Sequence, residues 1–297
     1  MKNNEKNKTV LLAGATGYLG NFIAKELISR NINTKIIVRN PDKIIPLAYD
    51  FVEIIPAEVT RPETIKGHFT GVDTVISSIG ITRQKDGLTY MDVDYRANMN
   101  LLEEAKKAGV RKFIYVSVIN GHLHRNLKLI AAKEAFVDEL KASGLEYTII
   151  RPNGFFSDMR DFLKMAEKGK VYVFGNGKKK FNPIHGADLA LVCVDAINSD
   201  KNQIPVGGPD ILTHNEVAEM ALRACGKPIK IIHIPHWVRK SVLWTTRTFF
   251  TSKTYGPIEF FLTLMAEDAI APRYGSHRLS LFFQNEMDII NRKTDAK

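Results

Sequence analysis

Seven residues near the start of the chain, Gly14-Ala-Thr-Gly17-Tyr-Leu-Gly20, constrain what it can fold into more than any others. They follow an apolar run at 9–13 (TVLLA) and precede a stretch, 21–30, with Phe22, Ile23, Leu27 and Ile28 at helical spacing. Strand, glycine turn and helix in that order make a corner that offers backbone NH groups to an anion. Gly14 permits the tight turn, Gly17 lets those amides approach a diphosphate, and Gly20 lets the helix pack on the sheet. The helix N-terminus adds its partial positive charge. Gly14, Thr16, Gly17, Tyr18, Leu19 and Gly20 therefore predict a dinucleotide cradle.

The pattern around this corner repeats. Strand-like runs at 34–38, 51–56, 72–77, 112–118 and 146–150 alternate with helical patterns, among them 94–107 and 131–143, which stop at Gly109 and Gly144. Such alternation predicts an α/β fold, a doubly wound parallel Rossmann sheet buried on both faces, with a smaller, mainly helical C-terminal lobe. Residues 1–155 are expected to form the core and 156–297 the lobe, with 184–206 packing back on the core. A helix over 188–198 carries Asp188 near its start, and Thr213 with Glu216 forms a capping box that opens a helix to Ala224. The polar tail from Asn291 is expected to fray.

Composition excludes several classes. Hydrophobic residues at 44% and charged residues at 25% are those of an ordinary globular chain, not a disordered one. Cys193 and Cys225 are too few for a disulfide framework or a four-ligand zinc site, and no metal is expected. No signal-peptide pattern and no long apolar span stand out, so the expected location is cytoplasmic. The net charge of +10 is mostly scattered lysine. One stretch differs: between 227 and 257 there are six Lys or Arg, no acid, and interleaved Trp237, Trp244, Phe249, Phe250 and Tyr255. That stretch suits a lid over an apolar substrate or a peripheral membrane contact through 237–265. No nucleic-acid module accompanies it, so no nucleic-acid partner is expected.

The landmarks GATGYLG, VRNPDK, Ser77-Ser78-Ile79-Gly80, AAKEAF, YTIIRPNGFF and NPIHGADLA, spread over residues 9–235, have a family likeness. The chain resembles the extended and atypical short-chain dehydrogenase/reductase superfamily, in its NmrA-like, isoflavone-reductase-like and divinyl-chlorophyllide-reductase-like branches. The resemblance implies that Glu58 and Val59 border an adenine and that Ser77, Ser78, Ile79 and Gly80 run along the cofactor. It also implies that Lys133 holds the nicotinamide ribose, and that Pro152, Asn153 and Phe155, beside Phe156, line the nicotinamide and substrate.

The end of the second strand bears on the choice of cofactor. An NAD site usually carries an acid there, whereas a 2′-phosphate calls for arginine. The chain has Arg39, with Lys43 four residues on, and no acid at the strand end, which favours NADP(H) while leaving NAD(H) open.

The catalytic half departs from the superfamily. The usual tyrosine four residues before the lysine is absent, because Leu129 stands there. Lys133 remains, and Ser117 matches the family serine that hydrogen-bonds a substrate carbonyl. His122 and His124 lie on the loop after the fifth strand, as acids or as solvated side chains. Tyr115 is expected in the core, His185 to be satisfied by backbone, and Asp188 to cap its helix. Two functions fit: an NADP(H)-dependent oxidoreductase moving hydride to or from a small apolar carbonyl or conjugated alkene, or a non-catalytic NAD(P)H-binding sensor or assembly factor of NmrA-like type.

Overall fold

The computed structural model describes residues 8–43, 49–81, 87–249 and 252–295. The Lys43 side chain lies outside the described residues, as do Phe250 and the side chains of Arg239, Lys240, Arg247, Phe249 and Tyr255. The chain forms two compact units, Met1–Arg151 with Leu189–Ile204 and Pro152–Asp188 with Pro205–Lys297.

The first unit begins with β1 (Thr9–Ala13), α1 (Tyr18–Ser29), β2 (Thr34–Val38), β3 (Val52–Pro56), the short α2 (Pro62–Ile65) and β4 (Val72–Ser77). Next come α3 (Asn98–Lys107), β5 (Lys112–Val116), α4 (Lys128–Ala142) and β6 (Glu146–Pro152). Further along are α5 (Arg160–Glu167), β7 (Val171–Phe174), β8 (Lys180–Phe181), α6 (Gly186–Asp195) and β9 (Gln203–Val206). Seven strands make one sheet in the order β3-β2-β1-β4-β5-β6-β9. Every pairing from β3 to β6 is parallel. The amides of Ile149 and Asn153 donate to Asn202 and Val206, which sets β9 alongside β6.

The continuous apolar strands account for this arrangement. All of β5 and all but the first residue of β1 are buried, as expected for strands covered on both faces. Phe113, Tyr115, Phe136, Val137, Leu101 and Ile149 belong to one core cluster. Strand order reverses between β1 and β4, and in open parallel sheets the crevice at such a reversal takes the ligand.

The segment before α3 departs from a regular helix. Met91–Ala97 is π-helical and leads straight into α3. At this turn the buried Asn98 Nδ2 donates to the carbonyls of Val93 and Asp94, at 3.3 and 3.0 Å. Asn98 Oδ1 in turn accepts from the Ser77 hydroxyl at 2.5 Å, tying this turn to the end of β4.

The second unit contains β10 (Leu212–Thr213), α7 (His214–Ala224), β11 (Ile231–Ile234), α8 (His236–Phe249), α9 (Ser252–Leu264) and α10 (Leu279–Asp295) besides α5, β7 and β8. β7 pairs in parallel with β11, and β8 antiparallel with β10. Phe156, Phe162, Leu163, Leu222, Phe282 and Phe283 build its core, so Phe156 is a packing residue. The capping box expected at Thr213 is complete: Thr213 Oγ1 accepts from the Glu216 amide, and Glu216 accepts from the Thr213 amide. Two expectations are corrected. The segment from Asn291 is helical as far as Asp295, where α10 ends. The buried Asp188 carboxylate accepts from the Ser276 and His277 amides and pairs with His277 Nδ1 at 2.8 Å, so it fastens a distant loop instead of capping its helix.

Two histidines are expected to make this unit acid-sensitive. Burial pushes His214 down to about 4. Burial, and then the facing His277, push His185 down to about 4 as well. Both are neutral in the folded chain near pH 6, whereas the unfolded chain begins to protonate them below about 6.5. Stability is therefore expected to fall as pH drops from about 6.5 towards 4, with a slope of up to about 1.4 kcal/mol per pH unit from His214. Urea melts at pH 7.5, 6 and 5 check this. His214→Gln, which stays neutral, should flatten the dependence, and an unchanged slope would remove His214 from the account.

Candidate dinucleotide site

The carboxyl ends of β1, β2 and β4 lie side by side, since Ala13 pairs with Ile37 on one side and Ser77 on the other. The turn after β1 is built from glycines that serve different purposes. Gly14 has φ +95°, a left-handed conformation, and a Cβ there would lie 2.7 Å from Ser78 Oγ. At Gly20 a Cβ would fall 2.0 Å from the Gly14 carbonyl oxygen, so only glycine lets α1 sit against the turn. Gly17 is otherwise: its φ of −78° suits any residue, and its Cβ would meet only the Gly14 oxygen, at 3.3 Å. Thr16 and Gly17 form the exposed apex, Tyr18 is half-buried, and Leu19 and Gly20 are buried. No side chain caps α1 and no acid stands in its first turn, unlike the fully capped α7. The corner is open, and its donor chemistry fits a diphosphate.

Arg39 follows β2 directly and is exposed. Glu58 and Val59 follow β3. The Glu58 carboxylate accepts from Thr60 Oγ1 at 3.0 Å and lies 3.5 Å from Arg61 Nε, while the Val59 carbonyl accepts from Asn100 Nδ2 at 2.9 Å. Ser78 is held on β1, its amide and hydroxyl both donating to the Ala13 carbonyl at 3.0 and 3.2 Å. Buried Ser77 and Ile79 and exposed Gly80 complete this segment beside the glycine turn.

Lys133, on α4, reaches the same segment. Its Nζ lies 2.9 Å from Asp94 Oδ1, and Asp94 is wholly buried at the π-helical turn. The Ile81 amide donates to Asp94 Oδ2 at 3.3 Å. A Cβ on Gly80 would be 2.6 Å from both Asp94 Oδ1 and Lys133 Nζ, so the ammonium is pressed against bare backbone. Burial works against its charge, but the Asp94 carboxylate and Tyr115 outweigh that and hold Lys133 above the usual lysine range. Tyr115 is buried against Phe136, with Lys133 Nζ 5.6 Å from its ring centroid. Burial pushes the Tyr115 phenol up to about 12.

Other expected residues have different surroundings. Leu129 is 5% exposed, so the position of the family's tyrosine is filled by a core side chain. Ser117 Oγ donates to Glu134 Oε1 at 3.1 Å, and Glu134 is gripped by Arg151 through contacts of 2.6 and 3.0 Å. The Ser117 hydroxyl thus belongs to a buried ion-pair network. His122 is exposed and His124 half-buried. Pro152, Asn153 and Phe155 belong to the second unit, where buried Asn153 donates to Asn182 Oδ1 at 2.7 Å and to the Ala269 carbonyl. Phe155 is half-buried and bridges to Ile184.

The partners Asp94, Glu134 and Arg151 were missed from sequence. A signal was present, because Asp94 shares a helical face with Ala97, Leu101 and Ala105, and Glu134 with Ile130 and Val137. A carboxylate on an apolar stripe calls for a buried partner.

A parallel sheet with a glycine turn and an uncapped helix at its switch point, and a helix-borne lysine reaching the segment after β4, defines a dinucleotide-binding protein of Rossmann type. Residues 14–200 match the NAD(P)H-binding family, and the chain belongs to it. It is 28% identical to the chloroplastic divinyl chlorophyllide a 8-vinyl-reductase of Zea mays, over 93% of this chain and 78% of that one. It is also 28% identical to the photosystem II assembly factor Ycf39 of Guillardia theta, over 76% and 73%. Among solved structures, the NADPH-dependent quinone oxidoreductase QOR2 of Escherichia coli, complexed with NADPH, superposes with a TM-score of 0.69 at 18% identity, covering 94% and 99%. A nucleoside-diphosphate-sugar epimerase of Staphylococcus aureus gives 0.71 at 18%, covering 93% and 99%. These last two likenesses establish the fold. The superfamily resemblance read from the sequence landmarks is borne out.

Proposed function

We propose that the protein is an NADP(H)-dependent oxidoreductase acting on a small apolar carbonyl or conjugated alkene. The observation that carries this reading is the Lys133–Asp94 pair set against Gly80, beside an open glycine corner. When bound, the nicotinamide cofactor supplies the hydride. The chain's own groups supply binding and orientation. The amides at Thr16–Gly20 would hold the diphosphate, Arg39 the 2′-phosphate, and Lys133 the nicotinamide ribose. Asp94 keeps Lys133 protonated, so the ammonium donates hydrogen bonds to hydroxyls instead of exchanging its proton. Two similarities support the substrate class: one relative is a vinyl reductase and one structural neighbour a quinone oxidoreductase.

Titration calorimetry tests this directly. The protein is expected to bind NADPH more tightly than NADH. Arg39→Ala should weaken NADPH by about 10- to 100-fold, as for loss of a charge-assisted contact, and leave NADH nearly unchanged. Equal weakening of both would refute the 2′-phosphate role.

A second reading is a cofactor-binding sensor or assembly factor without turnover. It is favoured by the buried Leu129 at the tyrosine position, by Ser117 being held in the Glu134 network, and by similarity to Ycf39. Consumption of NADPH with quinone and enone acceptors separates the two. Binding without consumption selects the second.

A further inference from the structure

We propose that helix α8 is an interfacial helix that lies flat on an anionic phospholipid surface. Trp237 and Trp244, seven residues apart, are 68% and 66% exposed. At 100° per residue they fall within 20° of each other, so both stand on one face. Ser241 and Thr248 share that face and are exposed, but their hydroxyls donate to the carbonyls of Trp237 and Trp244 at 3.1 and 2.8 Å. Thr245 does the same to Ser241 at 2.8 Å. The hydroxyls along this face thus spend their protons on their own helix, which lowers the cost of taking the face out of water. Half-buried Val238, Val242 and Leu243 lie on the opposite side.

Charge decides the occupant. Lys240 and Arg247 follow the same seven-residue spacing, and their positions fall within 80° of the tryptophan line. The stretch 227–257 carries six Lys or Arg and no Asp or Glu. Rings at headgroup depth flanked by cations match an anionic bilayer surface. Fourteen residues span only about 21 Å, and among the described residues no helix is long and apolar enough to cross a membrane. The helix therefore rests on the interface and does not span it.

The chain has two tryptophans, and both stand on this face, so tryptophan emission reports on it alone. The test mixes the full chain with phosphatidylcholine vesicles, with and without phosphatidylglycerol, at low and high salt. Flotation with the anionic vesicles at low salt is expected, with a blue-shifted emission quenched by brominated acyl chains. High salt should release the protein. Lys240→Gln with Arg247→Gln should cut binding roughly 25-fold, about fivefold for each cation. Trp237→Ser with Trp244→Ser should abolish flotation while circular dichroism and NADPH binding stay as in the parent chain. Three results would overturn the proposal: no flotation with anionic vesicles at low salt, flotation without an emission shift, or flotation that survives the double tryptophan variant.

Discussion

Asp94→Ala is expected to cost about 3–5 kcal/mol of stability, the usual penalty for stripping one partner from a buried ion pair. The variant leaves the Lys133 ammonium, 13% exposed, pressed on Gly80 without its counter-charge. Lys133→Met strands a fully buried carboxylate instead, at a similar cost near neutral pH. Acid should partly relieve that second variant, because an unpaired buried Asp94 takes up a proton. The double variant should recover much of the loss, since it removes both charges together. Urea melts of the four proteins form a double-mutant cycle. Additive effects would mean that the two groups do not act as a pair. On the proposed reading Lys133 would be a structural as well as a cofactor-side residue, so its truncation should not be read from turnover alone. NADPH affinity measured where each variant is still folded separates the roles: Lys133→Met should weaken binding further than its effect on folding explains.

The second large effect concerns two glycines three residues apart. Gly20→Ala is expected to destabilise the first unit by about 3 kcal/mol or more, because the new methyl meets backbone that cannot move without dragging the turn. Gly17→Ala should change stability by about 1 kcal/mol or less, since its backbone is ordinary and its one close neighbour is at 3.3 Å. Its cost should appear in cofactor affinity, with NADPH weakened about 10- to 100-fold by the loss of close amide approach. The folded chain alone makes little demand for glycine at position 17, whereas a diphosphate on the apex would. If Gly17→Ala bound NADPH like the parent chain, the apex would not be the diphosphate cradle, and both functional readings would lose their foundation.

Much of the fold was legible because its signals are local. The glycine spacing, the apolar strands, the stops at Gly109 and Gly144 and the Thr213–Glu216 box each depend on residues within one or two turns of each other. The same locality explains the failures. A regular helix over 94–107 fits the apolar spacing, but the chain is π-helical up to Ala97, where the Asn98 side chain reaches back to Val93 and Asp94, a contact no periodicity records. The Asp188 carboxylate fits a helix cap by position, yet it serves a loop 88 residues further on.

The amino-acid sequence alone determined a parallel α/β sheet with an anion-binding corner after its first strand, because hydrophobic period and glycine placement act over a few residues. Only the tertiary structure decided which charges meet. Asp94 and Lys133, and Glu134 and Arg151, become partners through chain crossings that bring separated segments together. Burial then makes each pairing matter, because a charge removed from water must be answered by another within hydrogen-bonding reach.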